Sequence, residues 1–296
     1  MEAAQRRMLI VAASLMVSFS AIFVRWSDAP SAVLAFYRML FASLVIVPIA
    51  LIRYRKDLLA MGREDLVLSA ISGILFALHF LAYFESLGLV SIASSTVLAD
   101  TAVFFVAAIM VLVFKERISR RNWIVMMITF GGCTLIACGD CAVEFGILGD
   151  ALALASSAMF SVYAIIGRKV RRNVSTVAYT SVVYVSAALT ALVCVCVEDA
   201  SSLDCGYRNI LCGLGLAVFC TLLGHTVYNW GLRYESPAFV AITTLLEPVF
   251  GSVLGLFIFA EVPGILVILG SAVVLAGVYL FSAADSHRHH AHGNKV

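Results

Sequence analysis

The stretch YFESLGLVSIA, residues 83–93, returns as YNWGLRYESPA, residues 228–238. A slide of 145 positions pairs Tyr83 with Tyr228, Leu87 with Leu232, Ser91 with Ser236 and Ala93 with Ala238. Continued without a gap, it pairs Phe105 with Phe250, Phe114 with Phe259, Glu116 with Glu261 and Gly132 with Gly277. Nearer the start of each half, a slide of 143 pairs Ser14, Met16, Ser18, Ala21, Ile22 and Arg25 with Ser157, Met159, Ser161, Ala164, Ile165 and Arg168. The chain therefore reads as two copies of one unit. If each copy holds an odd number of membrane helices, the copies face opposite ways, a plan on which many secondary transporters build alternating access.

Composition makes the membrane explicit. The 296 residues are 62% hydrophobic and only 13% charged, with a mean hydropathy of +1.02. A soluble domain has roughly 45–50% apolar and 25% charged residues. A spanning helix needs about 20 mostly apolar residues. Ten stretches qualify, approximately 8–25, 31–52, 66–88, 91–113, 122–138, 149–167, 175–197, 209–232, 237–259 and 264–282. The expected fold is an all-α integral membrane protein of ten transmembrane helices, arranged as two inverted five-helix repeats. Repeat one covers 8–138 and repeat two 149–282 within a single membrane domain, 1–296, and a polar His-containing tail occupies 283–296. The first stretch follows Arg6 and Arg7 in the manner of a signal peptide, but its repeat counterpart at 149–167 lies mid-chain, so it is read as a span.

Lys and Arg collect in cytoplasmic connections. With the N-terminus inside, Arg6, Arg7, Arg53, Arg55, Lys56, Arg63, Lys115, Arg117, Arg120, Arg121, Arg168, Lys169, Arg171, Arg172, Arg233, Arg288 and Lys295 all fall on the cytoplasmic side. The outer connections carry Asp28, Asp140, Glu144, Glu198, Asp199 and Asp204. Both termini are thus expected in the cytoplasm of a protein that crosses the cytoplasmic membrane many times. The basic clusters are topology signals, and no nucleic-acid partner is expected.

Most of the eight cysteines fall within spans, where a thiol behaves as a small apolar group. Cys138, Cys141 and Cys205 lie near the outer surface and leave a Cys141 to Cys205 bridge open. His287, His289, His290 and His292 fall in a tail too polar to pack in the bilayer, which reads as disordered. Gly251 with Gly255, and Gly131 and Gly132 with Gly277, are handles for close helix packing.

A charge near the bilayer centre costs on the order of 2.5–3.5 kcal/mol on insertion scales, so each one needs a partner, a wet cavity or neutralisation. Arg38, His79, Asp100 and Glu247 stand at such depths. Arg38 and Asp100 lie at matching depth. Either Arg38 faces a central cavity, releasing Asp100 to take an anionic substrate group, or the two form a permanent ion pair. Glu247 precedes Pro248 mid-span, and interrupted helices at the midplane are where transporters expose polar groups to solutes or ions. A carboxyl there can carry a proton for coupling, or simply bond a neighbouring helix. His225, Tyr228 and Asn229 share one helical face. Tyr83 and Tyr228 are repeat equivalents, and with Tyr163 and Phe36 they suit an organic solute with an apolar part. Trp26, Trp123 and Trp230 read as interfacial anchors, and Glu85 as solvated. Glu116 and Glu261 are expected to favour the positive start of the next helix.

Ten spans in two halves, Arg38 after the Pro30 turn, Leu246-Glu247-Pro248 leading through Gly251 and Gly255 to Glu261, and an echo ending in Lys115-Glu116-Arg117 resemble the EamA-like branch of the drug/metabolite transporter superfamily. The resemblance covers nearly the whole chain. It implies a central cavity, alternating access by rocking of the two halves, and transport of amino acids or other small metabolites, with efflux the commoner direction. One departure stands out: Val103 occupies the position matching Pro248. The expected partners are a small-molecule metabolite, protons and the lipid bilayer; oligomeric state stays open. No cofactor is expected, because nothing matches the phosphate-binding pattern G-x-x-x-x-G-K-[ST], and neither H-E-x-x-H nor a partnered nucleophile supports the alternative of an intramembrane enzyme. A non-transporting receptor or scaffold is the other alternative.

Overall fold

The computed structural model describes residues 3–90, 92–116, 118–140, 146–198, 203–260 and 262–293, without the side chains of 92–94, 139–140 and 284–293. Ser91, Arg117, Cys141, Glu144, Asp199, Glu261 and Lys295, and the side chains of Ala93, Asp140, Arg288 and the four tail histidines, therefore lie outside the described residues. No strand occurs among the described residues, and ten helical segments are long and apolar enough to cross a membrane. They are α1 (Ala3–Arg25), α2 (Ser31–Arg53), α3 (Arg63–Leu89), α4 in two pieces (Ile92–Asp100 and Ala102–Leu112), α5 (Arg120–Asp140), α6 (Ile147–Arg171) and α7 (Thr176–Glu198). Then come α8 (Gly206–Gly231), α9 in two pieces (Pro237–Thr244 and Glu247–Phe259) and α10 (Ile265–Gly293). Each coincides with one of the expected stretches. The helical backbone of α10 continues through the polar tail to Gly293, where a disordered tail is expected.

Continuous apolar runs become helices because hydrocarbon offers no partner to a backbone N–H or C=O. Local chemistry sets the ends. Ser236 Oγ accepts from Phe239 N at 3.1 Å, and Pro237 takes the first helical position, where its missing N–H leaves no vacancy. Ile52, Leu112, Val197 and Phe257 stand outward and exposed, as side chains facing lipid do.

Packing crosses the sequence halves. α5 lies on α10 and α2 on α7, while α3 packs on α6 and α7, α8 on α1 and α2, α4 on α6 and α9 on α1. Exchanging α1 to α5 with α6 to α10 returns the same set of contacts. One core is built mainly on α1, α4, α5, α9 and α10, around Met126, Phe239, Ile242 and Phe281. The other is built mainly on α2, α3, α6, α7 and much of α8, around Met39, Phe76, Tyr179 and Tyr184. The units that pack together are therefore not the two five-helix halves, because each half buries its apolar stripes against helices of the other.

Local irregularities recur at positions 145 apart. α4 breaks at Thr101 and α9 at Leu246, each the residue preceding the second piece. Val103 in place of proline does not prevent the first break, and Pro248 lies in the first turn of a new helix, where a missing N–H costs nothing. Lys115 and Ala260 are the two non-glycine residues with positive φ among the described residues, at 53° and 57°; Ala260 caps the second piece of α9, and Lys115 lies three residues beyond that of α4. Ser18 Oγ donates to the Glu247 carbonyl at 3.2 Å, and Ser161 Oγ to the Ala102 carbonyl at 3.1 Å, so equivalent serines meet equivalent carbonyls at the start of the second pieces.

Glycines tighten one contact above the others. A Cβ on Gly132 would meet the Gly270 carbonyl at 3.0 Å, and one on Gly277 would meet Thr129 Cβ at 2.9 Å. Gly131 and Gly251 have nothing within 4 Å, so those two expected packing handles are not used. Charged residues sort to two faces. One carries Arg168 with Glu116 and Lys169 with Glu64, both at 2.7 Å, and Arg7 with Glu235 at 2.9 Å. The other carries Arg208 with Asp28 at 3.4 Å. Glu116, expected at the start of the next helix, is held instead by Arg168.

Candidate functional site

Where the two cores face each other lies a cavity of about 90 Å³. Seven helices reach it. α1 contributes Val17 and Ser20, α2 Arg38, and α3 His79, Phe80, Tyr83 and Phe84. The break of α4 contributes Thr96, Ala99, Asp100 and Ala102, α6 Phe160, α8 His225, and the break of α9 Thr244 and Glu247. Arg38, His79, Tyr83, Asp100, His225 and Glu247, all singled out in the sequence, thus converge from five helices.

Arg38 is 1% exposed. Its Nε donates to Thr221 Oγ1 at 2.9 Å, its guanidinium carbon lies 3.8 Å from the centroid of the Phe80 ring, and its Nη2 has no partner. No ion pair within 4.0 Å joins it to Asp100. The Asp100 Oδ2 is likewise buried without a partner, as is His225 Nδ1. A permanent Arg38–Asp100 lock is therefore not formed. The cation belongs to one core and the two carboxyls, Asp100 and Glu247, to the other, so the charges face each other across the space instead of closing it.

The walls are aromatic. His79 Nδ1 lies 2.8 Å from Ser156 Oγ and 3.1 Å from the Ser156 carbonyl, which fixes the ring 4.8 Å from Phe80 and 5.1 Å from Phe160. His225 stands edge-on to Phe76 at 4.9 Å and to Phe80 at 5.7 Å. The Tyr83 hydroxyl lies 3.3 Å from Thr96 Oγ1.

The other singled-out residues form the layer behind. Tyr163 stacks on Phe76 at 4.4 Å and accepts from Asn229 Nδ2 at 2.5 Å. Asn229 also donates to the His225 carbonyl at 2.9 Å. Tyr228 donates to Ser14 Oγ at 2.9 Å, so it braces α8 on α1 and does not mirror Tyr83 at the cavity. Pro248 begins the second piece of α9. Phe36 packs against Tyr37 at 5.5 Å, away from the lining. Glu85 is exposed as expected.

Phe80 and Phe84 of the lining, and Phe76 and Thr221 behind it, escaped the sequence reading. Phe76, His79, Phe80, Tyr83 and Phe84 recur at three- and four-residue steps, a single helical face, so the spacing could have shown the aromatic wall. Thr221, which anchors Arg38, carried no such signal. It lies in Leu216–His225, wound as a π-helix, a local geometry frequent at functional sites.

A model of the EamA-like transporter family matches residues 7–138 and again 147–283. An uncharacterized transporter of Archaeoglobus fulgidus is 25% identical over 259 residues, covering 84% of this chain and 87% of its own. The pseudopaline exporter CntI of Pseudomonas aeruginosa is 24% identical over 295 residues, covering 93% of this chain and 95% of its own. A protein of known crystal structure shares the fold with a TM-score of 0.81 at 18% identity, over 97% of this chain and 99% of its own. The two named relatives are transporters and the chain has ten helices long and apolar enough to cross a membrane, so it is a multi-pass membrane transporter of small solutes and not an enzyme. Matched in both halves by one family model, the chain belongs to the EamA-like transporter family.

Proposed function

We propose that this protein is a secondary transporter that carries a small organic metabolite, an amino acid or a related solute with an anionic group and an apolar part, out across the cytoplasmic membrane by alternating access. One observation carries the reading: Arg38 Nη2, Asp100 Oδ2 and His225 Nδ1 are buried without partners around one space between two packed cores. Unmade hydrogen bonds of this kind cost roughly 1–3 kcal/mol each, more when charged, and a bound solute recovers them. The anion meets Arg38, the apolar part lies on Phe84 and Phe160, and Asp100 and Glu247 face any cationic group or carry the coupling proton.

Both termini are assigned to the cytoplasm, on the Lys and Arg excess of the face that holds Arg7, Arg168 and Lys169. The chain is one membrane domain of two inverted repeats, 8–138 and 149–282, followed by its polar tail. The recurrent breaks, positive φ angles and serine bonds support this. Because the cores cross the repeats, the rocking bodies are the two cores. Alternating access then has the two cores part toward one side of the membrane and then the other. Outward direction rests on the relative named as an exporter.

The test is mass-spectrometric profiling of medium and cytosol from cells carrying wild type, Arg38→Gln or Glu247→Gln at matched membrane levels. A solute moved outward by wild type alone is the expected result. Equal profiles in all three across a broad panel would refute the assignment of the cavity.

A further inference from the structure

The sequence presents Arg38 as a buried cation, but the structure shows that something aims it. Its flat face lies against Phe80 from α3, and Nε is tied to Thr221 from α8, while Nη2 is buried without a partner. Thr221 is itself braced. Its carbonyl accepts from Thr226 Oγ1 at 3.0 Å and from the Tyr184 hydroxyl at 3.4 Å, and that hydroxyl lies 2.8 Å from Thr226 Oγ1.

In the π-helical Leu216–His225, Thr221 turns to Arg38 and its backbone meets Tyr184, while His225 reaches the cavity.

We propose that Thr221 is a positioning residue for anion binding: held by Thr226 and Tyr184 in the π-helical turn of α8, it sets the Arg38 fork so that its free edge faces the cavity. This rests on reading Arg38 as the solute's anion partner. Valine at this position keeps the shape and removes the acceptor. The Arg38 side chain then keeps its charge but loses its rotational anchor, and the fork no longer meets a carboxylate in one orientation. Serine keeps the acceptor.

The test uses the full chain in nanodiscs with benzoate as the probe, and follows the ¹⁵N–¹H signal of the Arg38 Nε–H, assigned by its loss in Arg38→Lys. Wild type and Thr221→Ser should show an exchange-protected Nε–H and equal benzoate affinity. Thr221→Val should lose the protection and bind roughly tenfold more weakly, the scale of one hydrogen bond to a charged group. Thr226→Ala, one step removed and gentler on the fold, should show a smaller loss in the same direction. Unchanged protection and affinity in Thr221→Val, or in Thr226→Ala should Thr221→Val not fold, overturn the positioning role. Benzoate binding that is absent in wild type, or equal in Arg38→Gln, overturns the anion reading itself, and the Nε–H signal reports separately whether Thr221 holds Arg38.

Discussion

Gly270 offers the sharpest test of how the bundle is held. A Cβ there would lie 2.6 Å from the Gly132 carbonyl oxygen and 2.9 Å from the Ile136 nitrogen. Both are backbone atoms of α5, so no side chain can rotate away. Reaching ordinary contact at 3.4 Å means parting the helices by about 0.8 Å along their length. Forcing such overpacking costs about 1–3 kcal/mol, and separation also removes the dispersion contacts that drive association in lipid. Alanine returns up to about 1 kcal/mol through better helix propensity, so Gly270→Ala should destabilise by about 1–2 kcal/mol. Gly131→Ala, on the same contact pair but with nothing within 4 Å, gains the propensity without the clash. Reversible unfolding in micelles should therefore separate the two variants by about 2 kcal/mol or more. If Gly270→Ala is as stable as Gly131→Ala, the close approach of α5 and α10 is not as described.

Two further outcomes follow from the same geometry. Lys115 and Ala260 adopt a left-handed conformation that costs an L-residue about 1–2 kcal/mol and glycine nothing. After the extra entropy of glycine in the unfolded chain, Lys115→Gly and Ala260→Gly should each raise stability by up to about 1 kcal/mol; a fall in either unfolding midpoint would contradict the assigned backbone. Arg168 on α6 and Glu116 at the end of α4 pair across the two cores while partly exposed, a link worth about 1 kcal/mol at most. Glu116→Gln should raise maleimide labelling of a cysteine placed at Thr244 from that face by up to about fivefold, and the exchange Arg168→Glu with Glu116→Arg should restore it. Unchanged labelling would place the closure of that face elsewhere.

Much of this was legible in the chain. Apolar runs of spanning length have one stable outcome in hydrocarbon, so the ten helices followed from hydropathy alone. The likeness of the two halves was visible because small, turn and aromatic residues at matched positions serve matched contacts: Ser18 and Ser161 meet carbonyls at matched helix starts, and Gly132 and Gly277 line one helix contact. Costly intramembrane charges marked Arg38, Asp100 and Glu247, and all three reach the cavity. The aromatic face of α3 was written at helical spacing but outshone by its polar members. Tyr228 was misdirected by symmetry, since an equivalent position need not keep an equivalent role once Ser14 offers its hydroxyl a partner.

What the sequence alone determined was membership of the hydrocarbon phase, the number and limits of the spans, and which residues were too expensive to lie there idle. Those properties depend on each segment's own transfer energy and backbone hydrogen bonding, which are local. Only the tertiary structure decided that each core draws on both halves of the chain, that Arg38 turns to Thr221 and Phe80 instead of Asp100, and that α8 winds as a π-helix around Thr221. These depend on which faces of distant helices meet, and a helix carries many faces that pack about equally well until its neighbours choose among them.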